Sequence, residues 1–323
     1  MTPYGIGLVA RQTISTRLRT WRWKLLLLVW FGVVNGLGLL SALTASGEEA
    51  WERYDDAVLV FSGLWLLVLV SVLLIVPAFG GRPAAGERDH GTLAGSMHAR
   101  PAPGDIMLGR FAAAWGTGVL LLLLALPGAV LGPALDGLEI GRALVAMGMT
   151  ALMTGVVSAL SVALSVLVVR DAAVPLSYFA VCMLLFGTGI AFAMAQRFVP
   201  RSPPAIEGSA FDEVHTERIW WLLAPNPAIV VTDAMPRTSD YEVFTFEESA
   251  APDVLAQLGN SARQWRGGSS VPENGPGRVD DVGAVWPYGL AFDLVLAGGA
   301  LWGATRRLRS RGAHDDPYRR EET

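Results

Sequence analysis

Apolar and charged residues alternate along the chain in long blocks. Six stretches of 21 to 27 residues contain almost no charge. A membrane-crossing helix needs about 20 mostly apolar residues, because the hydrocarbon layer is ~30 Å thick and each helical residue rises ~1.5 Å. The pattern therefore predicts an all-α polytopic membrane protein with six transmembrane helices. The predicted spans are residues 25–45, 57–79, 111–135, 143–169, 172–195 and 284–305.

Residues 1–24 precede the first span and have their own pattern. Ile14, Leu18, Trp21 and Leu25 recur at helical spacing, and the arginines lie mostly off that line. Apolar anchors with basic side chains predict an amphipathic helix in the cytoplasmic interface. The alternative is a first span that simply starts early. A cleavable signal peptide has an apolar core of only about 7–15 residues, so an uncleaved span is expected here.

The charges between the spans predict the orientation of the chain. Residues 1–24 carry five basic groups and no acid, and the tail at 306–323 begins with arginines. The segment 46–56 has net charge −4 and the segment 196–283 has net charge −6. Because basic residues favour the cytoplasmic side, both termini and the loop 80–107 are predicted to be cytoplasmic. Residues 196–283 are predicted to form a long extracytoplasmic segment before the last span.

The composition excludes several kinds of binding and catalytic site from this chain. Cys182 is the only cysteine, which excludes an internal disulfide and a cysteine-based zinc site. Lys24 is the only lysine and no glycine run precedes it, so there is no phosphate-binding P-loop. Ser96 and Ser158 lack the glycine frame of a hydrolase nucleophile, and the four histidines form no zinc-protease motif. We therefore predict neither a catalytic site nor a metal site on this chain.

Two polar residues within the predicted spans are candidates for a translocation path. Of the 54 charged residues, only Asp293 lies inside a predicted span. A carboxylate at mid-membrane costs roughly 2.5–3.5 kcal/mol on insertion scales. Asp293 would either line a path or bind a cation, or it would accept hydrogen bonds from neighbouring helices. Asn35 in the first span has the same two interpretations.

Small residues on the fourth span predict close helix packing. They recur every four residues and would serve either the core of one chain or a dimer seam; they are Ala151, Gly155, Ala159 and Ala163.

In the segment 196–283, the apolar islands 220–223 and 228–231 are separated by Pro225-Asn226-Pro227. That arrangement predicts either a short re-entrant or interfacial helical hairpin or a small folded cap.

The loop between the second and third spans resembles a known family. It reads Gly86-Glu87-Arg88-Asp89-His90-Gly91-Thr92-Leu93, then Pro101-Ala102-Pro103, then Ile106-Met107-Leu108-Gly109-Arg110. This sequence is similar to that of permease subunits of ATP-binding-cassette (ABC) transporters of the type-2 exporter class. Family members often have Lys at the position of Arg110 and an acid at that of Ala94. The segments 224–227 and 286–290 resemble actinobacterial members.

The resemblance implies a transmembrane permease subunit in a bacterial plasma membrane. ATP and Mg would be bound by separate ABC ATPase chains, and a second permease subunit, identical or paralogous, would complete the complex. No cofactor on this chain and no nucleic-acid partner are implied. The loop would be the element that the ATPase moves. Its coupling residues would be Glu87, Arg88, Asp89, Gly91, Thr92 and Leu93, with a second contact at Arg170 and Asp171.

Two other classes of function remain open at this point. An ion-coupled secondary transporter would use Asp293 as its coupling carboxylate and would need no ATPase. A membrane anchor or sensor would have its working part in the segment 196–283. Neither of these accounts for the loop sequence at 86–93.

Overall fold

The structure, a computed structural model, describes residues 3–44, 50–80, 102–135, 137–202, 213–236, 253–268 and 282–314. Almost all of these residues are helical. The longer helices are α1 (Pro3–Leu18), α2 (Trp21–Thr44), α3 (Ala50–Ile75), α5 (Pro103–Leu126), α7 (Ile140–Leu167), α11 (Val254–Gly267) and α12 (Trp286–His314). The shorter ones are α4 (Pro77–Gly80), α6 (Gly132–Leu135), α8 (Ala173–Cys182), α9 (Thr188–Ala195) and α10 (Pro227–Ala234). Two-residue strands β1 (Arg201–Ser202) and β2 (Glu213–Val214) pair antiparallel.

In the described part of the chain, five helical stretches are long and apolar enough to cross a membrane. They are Trp21–Leu43, Arg53–Gly80, Gly104–Leu131, Ile140–Leu167 and Ala173–Ala195. These match the first five predicted spans, with boundaries shifted by several residues. The protein is therefore an all-α protein with several candidate membrane helices. The sixth predicted span lies in α12, which is long but less apolar, because it contains Asp293 and ends in arginines. That span stays a prediction.

The N-terminal helix is separate from the first span, but its amphipathic character is weak. α1 ends at Leu18 and α2 begins at Trp21, so the break lies a few residues before the predicted start of the first span at Leu25, and the predicted anchor Trp21 belongs to α2. Apolar and basic side chains are hardly segregated around α1. α1 packs on the start of α5, where Gly109 lies against α1; a Cβ there would be 2.6 Å from Val9 Cβ. The predicted anchors Ile14 and Trp21 are exposed.

Two of the candidate membrane helices contain a π-helical turn. One covers Pro127–Leu131 between α5 and α6, and the other covers Met183–Gly187 between α8 and α9. Proline removes a backbone donor and clashes with the preceding turn, which accounts for the irregularity at Pro127. A π-turn inside an α-helix is often found at functional sites. Both of these turns are contacted by an asparagine side chain from elsewhere in the chain.

The central helix of the bundle is α7. In its most apolar stretch 72% of the residues are buried, compared with 17% in both α2 and α8–α9. Its hydroxyl side chains are buried, and most of them donate to the carbonyl one turn earlier in the same helix; they are Thr150, Thr154, Ser158, Ser161 and Ser165. The predicted small-residue face serves the core of this chain. Ala159 and Ala163 are buried, and the Trp115 indole N–H donates to the Ala151 carbonyl at 2.9 Å.

The segment before α12 is partly inserted into the bundle. Val230 and Val231 on α10 are fully buried in the main apolar core. α10 packs against α3, α7 and α12, and α11 packs over α10. Gly259 on α11 permits this close packing, because a Cβ there would lie 2.9 Å from the Thr232 carbonyl oxygen. The apolar island 228–231 thus forms part of a short helix buried in the bundle, and the choice between a re-entrant or interfacial hairpin and a folded cap stays a prediction.

Candidate functional site

Asn35, a predicted path residue, is bonded to the irregular part of α5. Its side-chain N–H groups donate to the carbonyls of Phe31 at 2.8 Å and Leu124 at 2.9 Å. Its side-chain oxygen accepts from the backbone N–H of Gly128 at 2.6 Å. The Asn35 amide thus satisfies backbone groups at the start of the π-turn 127–131. In this structure the residue joins two helices.

Asn226 has the same relation to the second π-turn. Its side-chain N–H groups donate to the Leu185 carbonyl at 2.8 Å and to the Thr188 hydroxyl at 2.9 Å. Its side-chain oxygen accepts from the Ala228 N–H at 2.9 Å and so caps α10. The sequence pattern identified the residue only through the prolines on either side. Its partners, about 40 positions away along the chain, could not be foreseen.

Asp293 is fully buried on α12, and no hydrogen-bond partner for either carboxylate oxygen lies among the described residues. Gly289, Ala297 and Ala304 lie on the same helical face, which is packed in the bundle. At Gly289 the neighbouring chain segment is so close that a Cβ would lie 2.8 Å from the carbonyl carbon of Ala224. Asp293 is one helical turn further along. A carboxylate in this position is the strongest candidate among the described residues for an ion or proton site.

A charged cluster lies where α7 and α11 begin, beside α3. Arg142 on α7 is 1% exposed and forms an ion pair with Asp253. Asp253 also caps α11, because its Oδ1 accepts from the Ala256 N–H at 3.0 Å, and it lies 2.8 Å from the Ser62 hydroxyl. The Nε and one terminal nitrogen of Arg142 have no partner among the described residues. The ion pair fastens α11 to α3 and α7.

A second ion pair fastens α10 and α11 to α12. Asp233 is buried, pairs with Arg263, and accepts from the backbone N–H groups of Val285 at 2.7 Å and Trp286 at 2.8 Å. It thereby satisfies two N–H groups at the start of α12, which a helix cannot satisfy itself. Between the two ion pairs, a cavity of about 10 Å³ is lined by side chains that include Arg142 and Asp233. It has room for about one water molecule.

Three side chains near β1 and β2 form a chain of hydrogen bonds that the sequence analysis missed. The Ser202 hydroxyl lies 2.7 Å from His215 Nε2. His215 Nδ1 lies 2.8 Å from Glu217 Oε1. His215 and Glu217 are partly exposed, with 23% and 37% of their side-chain surfaces accessible. Only the spacing of two between His215 and Glu217 is visible in the sequence; the strand pairing brings Ser202 to them.

Most of the predicted coupling residues lie outside the described part of the chain. This holds for Glu87, Arg88, Asp89, Gly91, Thr92 and Leu93. The second predicted contact is a 3-10 turn, Arg170–Ala172, in which Asp171 is exposed. Arg307 near the end of α12 donates to the Leu167 carbonyl beside this turn. Among the described residues, no three His, Cys, Asp or Glu side chains converge as metal ligands.

Comparison with known proteins gives no family. No protein-family model matches the chain, and no curated protein matches it significantly.

Proposed function

We propose that this chain is the transmembrane permease subunit of an ABC exporter of small or amphiphilic molecules. The observation that carries the proposal is the Gly-Glu-Arg-Asp-His-Gly-Thr-Leu sequence at 86–93. It lies between two helical stretches that are long and apolar enough to span a membrane, Arg53–Gly80 and Gly104–Leu131. A permease without a nucleotide site needs a loop of this kind for a partner ATPase to move.

Two apolar faces of the bundle are available to lipid or to a second permease subunit. α2 and α8–α9 leave most of their apolar side chains uncovered, whereas α7 is largely enclosed. Lipid tails or a second permease chain would cover these faces. In the proposed complex, two permease subunits and two ATPase chains form the transporter in a bacterial plasma membrane, with both termini of this chain cytoplasmic. ATP-driven closure of the ATPases moves the loops and, through them, the helices.

Copurification with an ATPase tests this proposal directly. The tagged full chain is coexpressed with an ABC ATPase encoded by a neighbouring gene, and the bound ATPase is quantified. Replacing Glu87 and Arg88 by Ala is expected to reduce the bound ATPase by about tenfold or more, because interface ion pairs are lost. The matched control replaces Glu247 and Arg237 by Ala, the same charges in the segment 196–283. If no ATPase copurifies, or if the Glu87 and Arg88 variant binds it normally, the proposed coupling role is wrong.

A second candidate function is supported by Asp293. A buried carboxylate without a partner among the described residues is typical of ion-coupled carriers. In that case transport would follow a proton or sodium gradient without any ATPase. Purified chain in liposomes, with the amphiphilic cation ethidium as probe, distinguishes the two. Uptake driven by an imposed ion gradient alone, and lost in Asp293→Asn, would favour the carrier over the ABC subunit.

A further inference from the structure

We propose that Ser202, His215 and Glu217 form a nucleophilic triad that hydrolyses carboxylic esters of amphiphilic molecules at the membrane surface. Ser202 Oγ to His215 Nε2 is 2.7 Å, and His215 Nδ1 to Glu217 Oε1 is 2.8 Å. These contacts join a hydroxyl to one ring nitrogen and a carboxylate to the other. A triad of this kind is recognised by geometry and not by the order of its residues along the chain.

The backbone around the triad positions all three side chains. Ser202 lies on β1, whose partner strand β2 ends at Val214, directly before His215. Glu217 follows in a 3-10 turn, Thr216–Arg218. The end of α11 covers its carboxylate: Gly268 has φ +62°, and a Cβ there would lie 2.9 Å from Glu217 Cδ. The second oxygen, Oε2, is buried. A carboxylate shielded on one side and bonded to imidazole on the other can hold the ring in one orientation.

The surroundings of the triad point to an amphiphilic substrate. Phe198, four residues before Ser202, is 84% exposed, and Trp221, four residues after Glu217, is 58% exposed. Exposed aromatic rings at the end of a membrane helix are typical of the headgroup region of a bilayer. The partly exposed triad lies between these two residues along the chain and would meet ester groups of molecules that partition into that region.

The chemical step needs only the ester and water. Ser202 Oγ bonds to the ester carbonyl carbon while its proton moves to His215 Nε2, and Glu217 stabilises the imidazolium. The carbon–oxygen bond to the alcohol then breaks, and the alcohol leaves with the proton from Nε2. Water attacks the acyl-serine with His215 as base. The carboxylic acid is released and the Ser202 hydroxyl is restored.

The residue that follows the nucleophile limits the expected rate. This residue is Pro203, which has no backbone N–H. In many hydrolases the amide after the nucleophile stabilises the oxyanion, and loss of one such donor costs about 10²–10³ in kcat. Since a median enzyme turns over at about 10 s⁻¹, we expect roughly 0.01–0.1 s⁻¹ here. An irreversible probe accumulates on the serine even at such a rate, so labelling should be easier to detect than turnover.

Active-serine labelling tests the triad on the full chain in detergent micelles. A fluorophosphonate probe is expected to label the wild-type protein at Ser202, as read by peptide mass, and the chain should hydrolyse p-nitrophenyl butyrate slowly. Ser202→Ala should abolish both signals. Glu217→Gln, which keeps the shape of the side chain, should slow labelling by about 100-fold or more because the imidazolium loses its counter-charge. Ser310→Ala, at an exposed serine on α12, should change nothing.

The variants are compared only where their thermal unfolding temperatures match that of the wild type within a few degrees. Labelling of the wild type at Ser202 with loss in both triad variants supports the proposal. Absence of labelling in the wild type overturns it. So does labelling that persists in Ser202→Ala, or a Glu217→Gln variant that reacts at the wild-type rate, because Ser202 would then be an ordinary surface hydroxyl.

Discussion

Asn35 on α2 accepts a hydrogen bond at 2.6 Å from the backbone N–H of Gly128, at the start of the π-turn that follows α5. The same amide donates to the Leu124 carbonyl at 2.9 Å. In an uninterrupted α-helix, the Leu124 carbonyl and the Gly128 N–H would bond to each other. A side chain from a neighbouring helix therefore bridges the two groups at the point where Pro127 breaks the regular pattern.

Replacing Asn35 by Leu should destabilise the bundle. The change keeps a similar volume but leaves two backbone groups short of a partner where water is scarce, which typically costs about 1–3 kcal/mol. Thermal unfolding in detergent should show the loss. Thr305→Val is the matched control, because within the described part of the chain that hydroxyl bonds only to the carbonyl of Leu301 in its own helix, and it should have little effect. An Asn35→Leu variant as stable as the control would contradict the bridging role.

Gly38 on α2 packs tightly against Gly128 in the π-turn that follows α5. A Cβ on Gly38 would lie 2.6 Å from the Gly128 Cα, which is backbone and cannot rotate away. Gly38→Ala should therefore separate the helices and lower the stability by about 1–3 kcal/mol. Gly36→Ala is the matched control on the same helix, because a Cβ there would meet no neighbouring element within 4 Å, and it should be neutral or stabilising. Equal unfolding temperatures for the two variants would rule out the close crossing.

The sequence predicted five long apolar helices well because long apolar runs are a strong signal. The five spans from 25 to 195 appear as helices at nearly the predicted positions. The sequence could not predict the π-turn at 183–187, where no proline marks the break and the stabilising amide of Asn226 comes from far along the chain. A long-range contact of this kind produces no periodic pattern in the sequence.

The candidate site was less predictable than the fold. Asp293 stood out because a charge inside an apolar run is costly. Arg142 and Asp253 did not stand out, because Arg142 directly precedes an apolar span and Asp253 is one of 13 acids in the segment 196–283. Only the docking of α11 brings them together and buries the arginine. Ser202 was missed for the same reason, since strand pairing places it beside His215.

Removing one partner of the Arg142–Asp253 ion pair should be strongly destabilising. Asp253→Ala leaves a buried guanidinium without its counter-charge, and such changes typically cost about 3–5 kcal/mol. It also removes the cap of α11. The double variant Arg142→Leu with Asp253→Leu should recover much of the lost stability, because neither charge of the pair remains. A double-mutant cycle compares the thermal unfolding of the wild type, the two single Leu variants and the double variant. Strictly additive effects on stability would show that the pair does not act as a unit.

Asp293→Asn should raise the stability of the protein. Both carboxylate oxygens are buried without a hydrogen-bond partner among the described residues, so a neutral side chain of the same shape fits this site at lower free energy. We expect a gain of about 0.5–2 kcal/mol in thermal unfolding, the range typical of a single stabilising substitution. Thr232→Val is the comparison, since it removes a buried hydroxyl that is bonded within its own helix and should give no gain. A loss of stability in Asp293→Asn would show instead that the carboxylate has a structural partner. A gain accompanied by loss of ethidium transport would place Asp293 on the path that the transported molecule or its coupling ion follows.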